Sequence, residues 1–489
     1  MKLPDLTRPA RPAKGAPTVR VEAGSRTFLA YDSAATAQHV GAIATFALPD
    51  GAGPGYLQEL FSELSAAPAA AAPFTFRPVG ARLGAATAAW RVLAAHEIDL
   101  GHHVRRSALP RPGGPRELDA LVSRLHSQPL DPARPLWEFH LIEGLADHRF
   151  AFYFKVHHAL MDGAGLLLRL LRMLDPAPTD AVRPFWATAN EPSAYGLSAG
   201  EPGGGEPGAG EPSGGGAPTA ADVARAARRL AAEARGERDP ALALPYAVPR
   251  SMLNRRIGRQ RVVATLSCEL EQLRSAARAA GVTVNEILLA ACGGGLRRYL
   301  RERGALPEQT LTAGTPVSTR APGDSTHLIS ITMAAMSLGT DVADPVERVR
   351  LVARSSALAK ERAHGLPQGL ATAYGAAFSV PFVTQHVLGL GGRTRTPYSV
   401  VVSNVAGPPE PRYLRGARLE SLSAAGSICH GMALFIAAVS AGGRFSVVFT
   451  GDRGTVPRVH DLARYTGDAL AELADALGRA PNPAPARSS

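Results

Sequence analysis

No run of about 18 apolar residues occurs in this 489-residue chain, so no stretch reads as a membrane-spanning helix. Residues 1–25 hold Pro, Arg and Lys but no apolar core, and are expected to be a disordered arm rather than a secretory signal. Cysteine is scarce. Cys268, Cys292 and Cys429 are odd in number and lack metal or redox spacing, which gives no support to a disulfide framework and predicts reduced core thiols. Lysine is scarce too: Lys2, Lys14, Lys155 and Lys360 are the only four, so arginine carries the net charge of +11. The plainest source of that charge is a genomic codon bias. Its functional reading is a positive field for an anionic partner, either a CoA-type phosphate or a lipid surface. No nucleic-acid-binding motif accompanies it, so nucleic acid is set aside. A Walker loop, a zinc pattern and H-E-x-x-H are all absent, which removes the commonest NTPase and metallohydrolase readings.

What is present is a globular composition, with 45% hydrophobic and 19% charged residues. The length favours two domains. Between 186 and 220 the chain becomes low-complexity, with GEPGGGEPGAGEPSGGGAP at its centre; such composition predicts a flexible linker. The expected division is an arm at 1–25, a first lobe at 26–185, a linker and exposed helix at 186–240, a second lobe at 241–478 and a tail at 479–489. Strand and helix signals mix in both lobes, so the fold class is α/β or α+β in two layers. Two motif matches fall in the linker: the hydrolase-like elbow Gly196–Gly200, and Gly203, Gly205 and Gly208 in G-x-G-x-x-G spacing. Neither has the strand–turn–helix context its chemistry needs, and both are discarded.

The stretch Phe150–Leu174, FAFYFKVHHALMDGAGLLLRLLRML, carries the strongest signal. Its first nine residues alternate with period 2, which predicts a strand over Phe150–His158. Phe150, Phe152, Phe154, Val156 and His158 would share one face, and His157 the other. A hairpin with Trp137–Leu145 would feed it. Asp162 stands where a helix N-cap belongs, and Gly163 allows a tight turn. His157 and His158 therefore fall at a strand end entering a helix. A neutral imidazole there can take a proton from a hydroxyl or thiol, because its ordinary pKa is about 6.5. The second pair, His102-His103, lacks the following acid and glycine and reads as surface or structural. Gly293-Gly294-Gly295 lies within a helix expected over Val284–Leu300 and reads as close helix packing.

His157-His158-Ala159-Leu160-Met161-Asp162-Gly163 resembles the HHxxxDG signature of CoA-dependent acyltransferases and condensation enzymes. The fuller likeness is to bacterial wax ester synthase/diacylglycerol acyltransferases. Its blocks run in order from Phe28 to Leu477: SQPLD (127–131), Pro135-Leu136-Trp137-Glu138, HLIEGL (140–145), Val284–Ala290, LRRYL (296–300), PVSTR (316–320) and SNVAGP (403–408). Glu286 stands where the family usually has Asp, and Ala406 where Pro is common.

The resemblance implies two chloramphenicol-acetyltransferase-like lobes with a tunnel at their interface. It implies an O-acyltransferase that moves a long-chain acyl group from acyl-CoA to diacylglycerol or a fatty alcohol. His158 would be the general base, with His157, Asp162 and Gly163 in support and Asp162 paired with an arginine such as Arg320. Asn285, Glu286, Ser403, Asn404, Pro135 and Trp137 would contact substrate. It implies no cofactor, with acyl-CoA as a substrate, and neither metal nor nucleic acid. The expected location is cytoplasmic, with the inner membrane face or lipid inclusions as peripheral sites. Another alcohol or amine acceptor, or a weakly active lipid-binding paralogue, remain the alternatives.

Overall fold

The computed structural model describes residues 17–80, 88–187, 241–318, 331–364 and 379–479, with positions 224, 228 and 239. Both discarded glycine motifs, most of the linker and Arg320 lie outside the described residues.

Two six-stranded mixed sheets form the framework. The first contains β1 (His39–Ala47), β2 (Val104–Ala108), β3 (Trp137–Leu145) and β4 (Arg149–His157). The second contains β5 (Arg261–Glu269), β6 (Thr312–Ser318), β7 (Ile331–Ser337), β8 (Val400–Ala406), β11 (Leu434–Ala441) and β12 (Arg444–Asp452). The remaining two strands, β9 (Tyr413–Leu414) and β10 (Ala417–Ala425), come from the second half of the chain but lie in the first sheet. The orders are β9-β10-β1-β4-β3-β2 and β7-β6-β8-β11-β12-β5. A break in sequence at the linker is thus not a break in the sheet. A third, three-stranded sheet is built from Thr18–Arg20, Phe76–Val79 and Ala89–Val92.

Alternation along β4 sorts its side chains as the period predicts. Phe150, Phe152, Phe154 and Val156 are fully buried in the core of the first lobe with Trp137 and Phe139. Ala151 and Tyr153 point the opposite way, into a smaller apolar cluster that also receives Val263 and Val448 from the second half. One face of the sheet thus packs its own lobe and the other packs the neighbouring lobe. Burial of each such Phe contributes roughly 1.5–3 kcal/mol. The strand spans Arg149–His157, so the alternation stops one residue before His158.

Helix α1 (Ala23–Ala30), helix α3 (Pro115–Ser127), helix α4 (Gly163–Leu171), helix α6 (Val284–Arg301) and helix α8 (Val459–Arg479) matter for the site; α2 (Tyr56–Ala66), α5 (Leu270–Ala280) and α7 (Pro345–His364) complete the layers. Proline at the first position suits the α3 start, and Glu117 reaches back to accept from Gly114 N at 2.8 Å.

Along α3, Asp119, Ser123 and Ser127 recur every four residues and face the free edge of β5. Their side chains accept from Thr265 N (3.1 Å), Val263 N (2.8 Å) and Arg261 N (2.8 Å), every second residue of the strand. Four residues of helix rise about 6 Å and two of strand about 6.6 Å, so the two repeats stay in step. An edge that would otherwise invite another strand is covered by side-chain oxygens.

The triple glycine of α6 is a packing device. A Cβ on Gly293 would strike the Leu338 carbonyl, on Gly294 the Ala469 side chain and on Gly295 the Thr466 backbone. Among the described residues no single helix is long and apolar enough to cross a membrane.

Candidate active site

β4 delivers His157, and the turn after it delivers His158. His157 N donates to Leu136 O at 3.0 Å, and His158 N donates to Gln38 O at 2.8 Å. The first histidine is buried and holds the turn. Its Nδ1 accepts from Ala159 N at 3.0 Å, and its Nε2 lies 3.7 Å from Asp32 Oδ1. Asp32 itself accepts from Gln38 N at 2.8 Å. His157 is thereby anchored through Nδ1, while Nε2 faces the Asp32 carboxylate without a hydrogen bond.

His158 is not. Its Nδ1 is buried with no hydrogen-bond partner, and the ring keeps partial exposure. The ring stacks on Phe28 of α1, with centroids 3.9 Å apart and planes inclined by 20°. Burial lowers its pKa from 6.5 to about 4, against the smaller upward pull of Asp162 and of the ring's own main chain, and His157 adds to the lowering. At neutral pH this imidazole carries no charge and can accept a proton.

Asp162 is the N-cap of α4, accepting from Gly165 N at 2.7 Å. It makes no ion pair with any described residue, and Arg320 lies outside them. Gly163 opens the helix with nothing within 4 Å of where a Cβ would sit.

The other expected contact residues divide. Asn285 and Asn404, 119 residues apart, are brought together: Asn404 Nδ2 donates to Asn285 Oδ1 at 3.5 Å. Ser403 lies beside Asn404 on β8, half-buried. Glu286 serves its own helix. Thr283 N donates to Glu286 Oε2 at 2.8 Å, closing a capping box, and Lys360 Nζ donates to Oε1 at 3.0 Å. Its pKa is lowered: burial pushes it up, and the bonds from Thr283, Ser356 and Lys360 together outweigh that. The longer Glu is the residue a capping box needs at this position, so the departure from Asp has a local reason. Pro135 and Trp137 are buried. Trp137 stacks between His103 (4.4 Å) and Trp186 (5.6 Å) and donates Nε1 to Phe74 O at 2.9 Å; they build the first lobe's core. His103 is likewise structural, its Nδ1 lying 2.7 Å from Trp137 O.

Sequence reasoning missed Phe28, Asp32 and the group around Lys155. Lys155, fully buried, places Nζ 3.0 Å from Glu138 Oε2, 3.1 Å from Leu125 O and 3.0 Å from Gln128 O. The two carbonyls accept hydrogen bonds and Glu138 supplies the ion pair; both carbonyls lie at the C-terminal end of α3, where a cation is favoured. Burial lowers the Lys155 pKa. Glu138 is held at about 2: burial would raise it, and His140, Lys155 and Arg105 together outweigh that. The pair ties β4 and β3 to α3, and through α3 to β5 of the other lobe. Lys155→Met is expected to lower unfolding stability by about 3 kcal/mol, the low end for breaking a buried pair, because Glu138 loses its nearest cation and keeps only His140 at 3.5 Å and Arg105 at 3.9 Å; denaturant melts at pH 7 measure it, and a loss below 1 kcal/mol would refute the role. A lone lysine in an otherwise apolar strand was the available signal.

Comparison with known proteins decides the lineage. Residues 23–288 match the wax ester synthase/diacylglycerol acyltransferase catalytic domain, and 330–474 match the C-terminal domain of the same family. The chain belongs to the wax ester synthase/diacylglycerol acyltransferase family. It is 37% identical over 458 residues to a Mycobacterium tuberculosis protein named a probable diacylglycerol O-acyltransferase, covering 92% of this chain and 98% of that one. The wax ester synthase/diacylglycerol acyltransferase of Marinobacter aquaeolei VT8 superposes with a TM-score of 0.74 at 31% identity, covering 94% of this chain and all of that one. The first condensation domain of the calcium-dependent antibiotic synthetase shares the fold, with a TM-score of 0.53 at 18% identity over 96% and 98% of the two chains. The expected resemblance and two-lobed α/β fold are therefore found, and this family member is an acyltransferase.

Proposed function

We propose that this acyltransferase moves a long-chain acyl group from acyl-CoA to the hydroxyl of a diacylglycerol or fatty alcohol, with His158 as general base. The observation that carries the role is the contrast between the two histidines: His157 spends its Nδ1 on Ala159 N and sets its Nε2 against Asp32 at 3.7 Å, whereas the His158 ring is uncharged and its buried Nδ1 has no hydrogen-bond partner. With Nδ1 buried, Nε2 is the atom to exchange the proton. It takes the hydroxyl proton as the alcohol oxygen attacks the thioester carbonyl. The tetrahedral intermediate collapses, the carbon–sulfur bond breaks, and the proton passes from the imidazolium to the departing thiolate. The products are an ester and free CoA, and no acyl-enzyme is needed. Asp162 and His157 fix the turn, and a tunnel between the lobes would bring donor and acceptor to His158 from opposite sides. Positioning of the two substrates supplies much of the remaining acceleration.

The relatives' names support diacylglycerol and fatty alcohols as acceptors. Product analysis with one labelled acyl-CoA and a panel of diacylglycerol, fatty alcohols and amines tests the choice. Labelled triacylglycerol or wax ester is expected. Label in amides alone would replace the reading with a condensation activity.

A further inference from the structure

Among the described residues, five large apolar side chains are exposed, and four of them fall in one stretch of eleven residues: Val380 (59%), Val387 (59%), Leu388 (65%) and Leu390 (39%). The stretch is helical over 379–387 and then turns. It is held firmly in this outward pose. Arg256 Nη1 donates to Gly389 O at 3.0 Å and Gly391 O at 3.3 Å, and His386 Nε2 lies 2.9 Å from His430 O. The apolar side chains are therefore presented outward by a stapled backbone.

Beside them lies a groove of about 800 Å³ whose lining includes Arg250, Arg255, Arg393 and Arg395, with the hydroxyls of Ser251 and Thr394. No carboxylate lines it, and none of the four arginines forms an ion pair with a described residue. Elsewhere exposed arginines occur both with an ion pair, as Arg278 with Glu271, and without one to a described residue, as Arg274 and Arg350; what sets these four apart is that they line one groove together.

We propose that this face docks the protein on an anionic phospholipid surface, the four apolar side chains entering the acyl boundary and the arginines meeting lipid phosphates. Apolar side chains flanked by unpaired cations are the pattern of an interfacial segment. A soluble polyanion would account for the arginines but leave the apolar residues without a role. The inner side of the same segment points towards the candidate base. His386 packs on Tyr31 (5.2 Å), Tyr31 on Phe28 (6.3 Å) and Phe28 on His158 (3.9 Å). A lipid acceptor leaving the surface would arrive near that ring; this consequence rests on the acyl-transfer reading, while the docking does not.

The test is sedimentation of the full chain with phosphatidylcholine vesicles with and without phosphatidylglycerol. Wild type is expected to co-sediment with the anionic vesicles and to release as salt rises. Arg393→Gln with Arg395→Gln should weaken binding roughly tenfold or more, and Val387→Ser with Leu388→Ser and Leu390→Ser should weaken it comparably. Both variants should keep wild-type turnover on a water-soluble short-chain alcohol. Wild type remaining in the supernatant, or either variant sedimenting like wild type, overturns the proposal. Release from the vesicles by 3′,5′-ADP would also overturn it, reassigning the groove to CoA. If sedimentation depends on both residue sets yet no acceptor is acylated, the docking stands and the acyl-transfer reading fails.

Discussion

Alanine at position 158 is expected to lower acyl transfer by roughly 10²–10⁴-fold, the usual contribution of a positioned general base. The expectation follows from where the ring sits. It makes no hydrogen bond that the fold depends on; its backbone N–H, which alanine keeps, holds the turn through Gln38. His158→Ala should therefore fold, and its loss should appear in kcat with little change in melting temperature. His157→Ala is the internal control. It removes the acceptor for the buried Ala159 N and the neighbour of Asp32, so it should lose about 1–3 kcal/mol of stability for the unsatisfied donor, with a further cost for the emptied ring space, and displace His158 with it. Turnover by His158→Ala within a few-fold of wild type, measured with saturating long-chain acyl-CoA and diacylglycerol, would remove the base assignment.

A second large effect is expected on acidification. His103 and His158 are held at about 4 and His126 at about 3, and His39 lies well below its ordinary 6.5, in every case chiefly by burial. The folded state thus keeps these rings neutral while the unfolded chain protonates them near 6.5. Between those values the unfolded state binds more protons, so stability rises with pH and falls as pH drops through the window. Each ring held at about 4 contributes on the order of 3 kcal/mol that is present above pH 6.5 and gone below pH 4. Set against a total of roughly 5–15 kcal/mol for a domain, several such rings suffice to unfold it. Urea midpoints measured from pH 7.5 to 4.5 should fall continuously, with net proton uptake on unfolding. A flat profile across that range would show that the histidines are not buried neutral. On the acid side, activity should be lost with unfolding rather than with the titration of His158 itself.

Much of this architecture was legible in the chain because its period is regular. β3 and β4 could be read almost to their ends from alternating Phe, Val and Leu, and α6 from its length and apolar content. β10 could not. A bulge between Leu419 and Ser421 shifts its register, so buried Leu419 and Leu422 are three apart and the period-2 signal breaks. Its place in the first sheet is also a long-range pairing that no local pattern encodes. The site divided similarly. HHxxxDG is local and was plain; Phe28 lies 130 residues earlier and meets His158 only in three dimensions. Thr283-x-x-Glu286 is a written capping box, and read as such it accounts for Glu286 without recourse to substrate. Trp137 belonged to a recognisable block, but a block can be shared because a core needs it.

The crossing of β10 into the first sheet also bears on synthesis. β1 is paired with β4 on one side and with β10 on the other. After β4 ends at His157, the ribosome must make the chain to Ala417 before the second neighbour begins to emerge. At the usual elongation rates that is a wait of roughly 10–50 s. Throughout it the nascent first lobe holds out an unpaired, mostly apolar strand edge, which makes this interval the chain's chief exposure to misassembly and the natural moment for a chaperone to hold it.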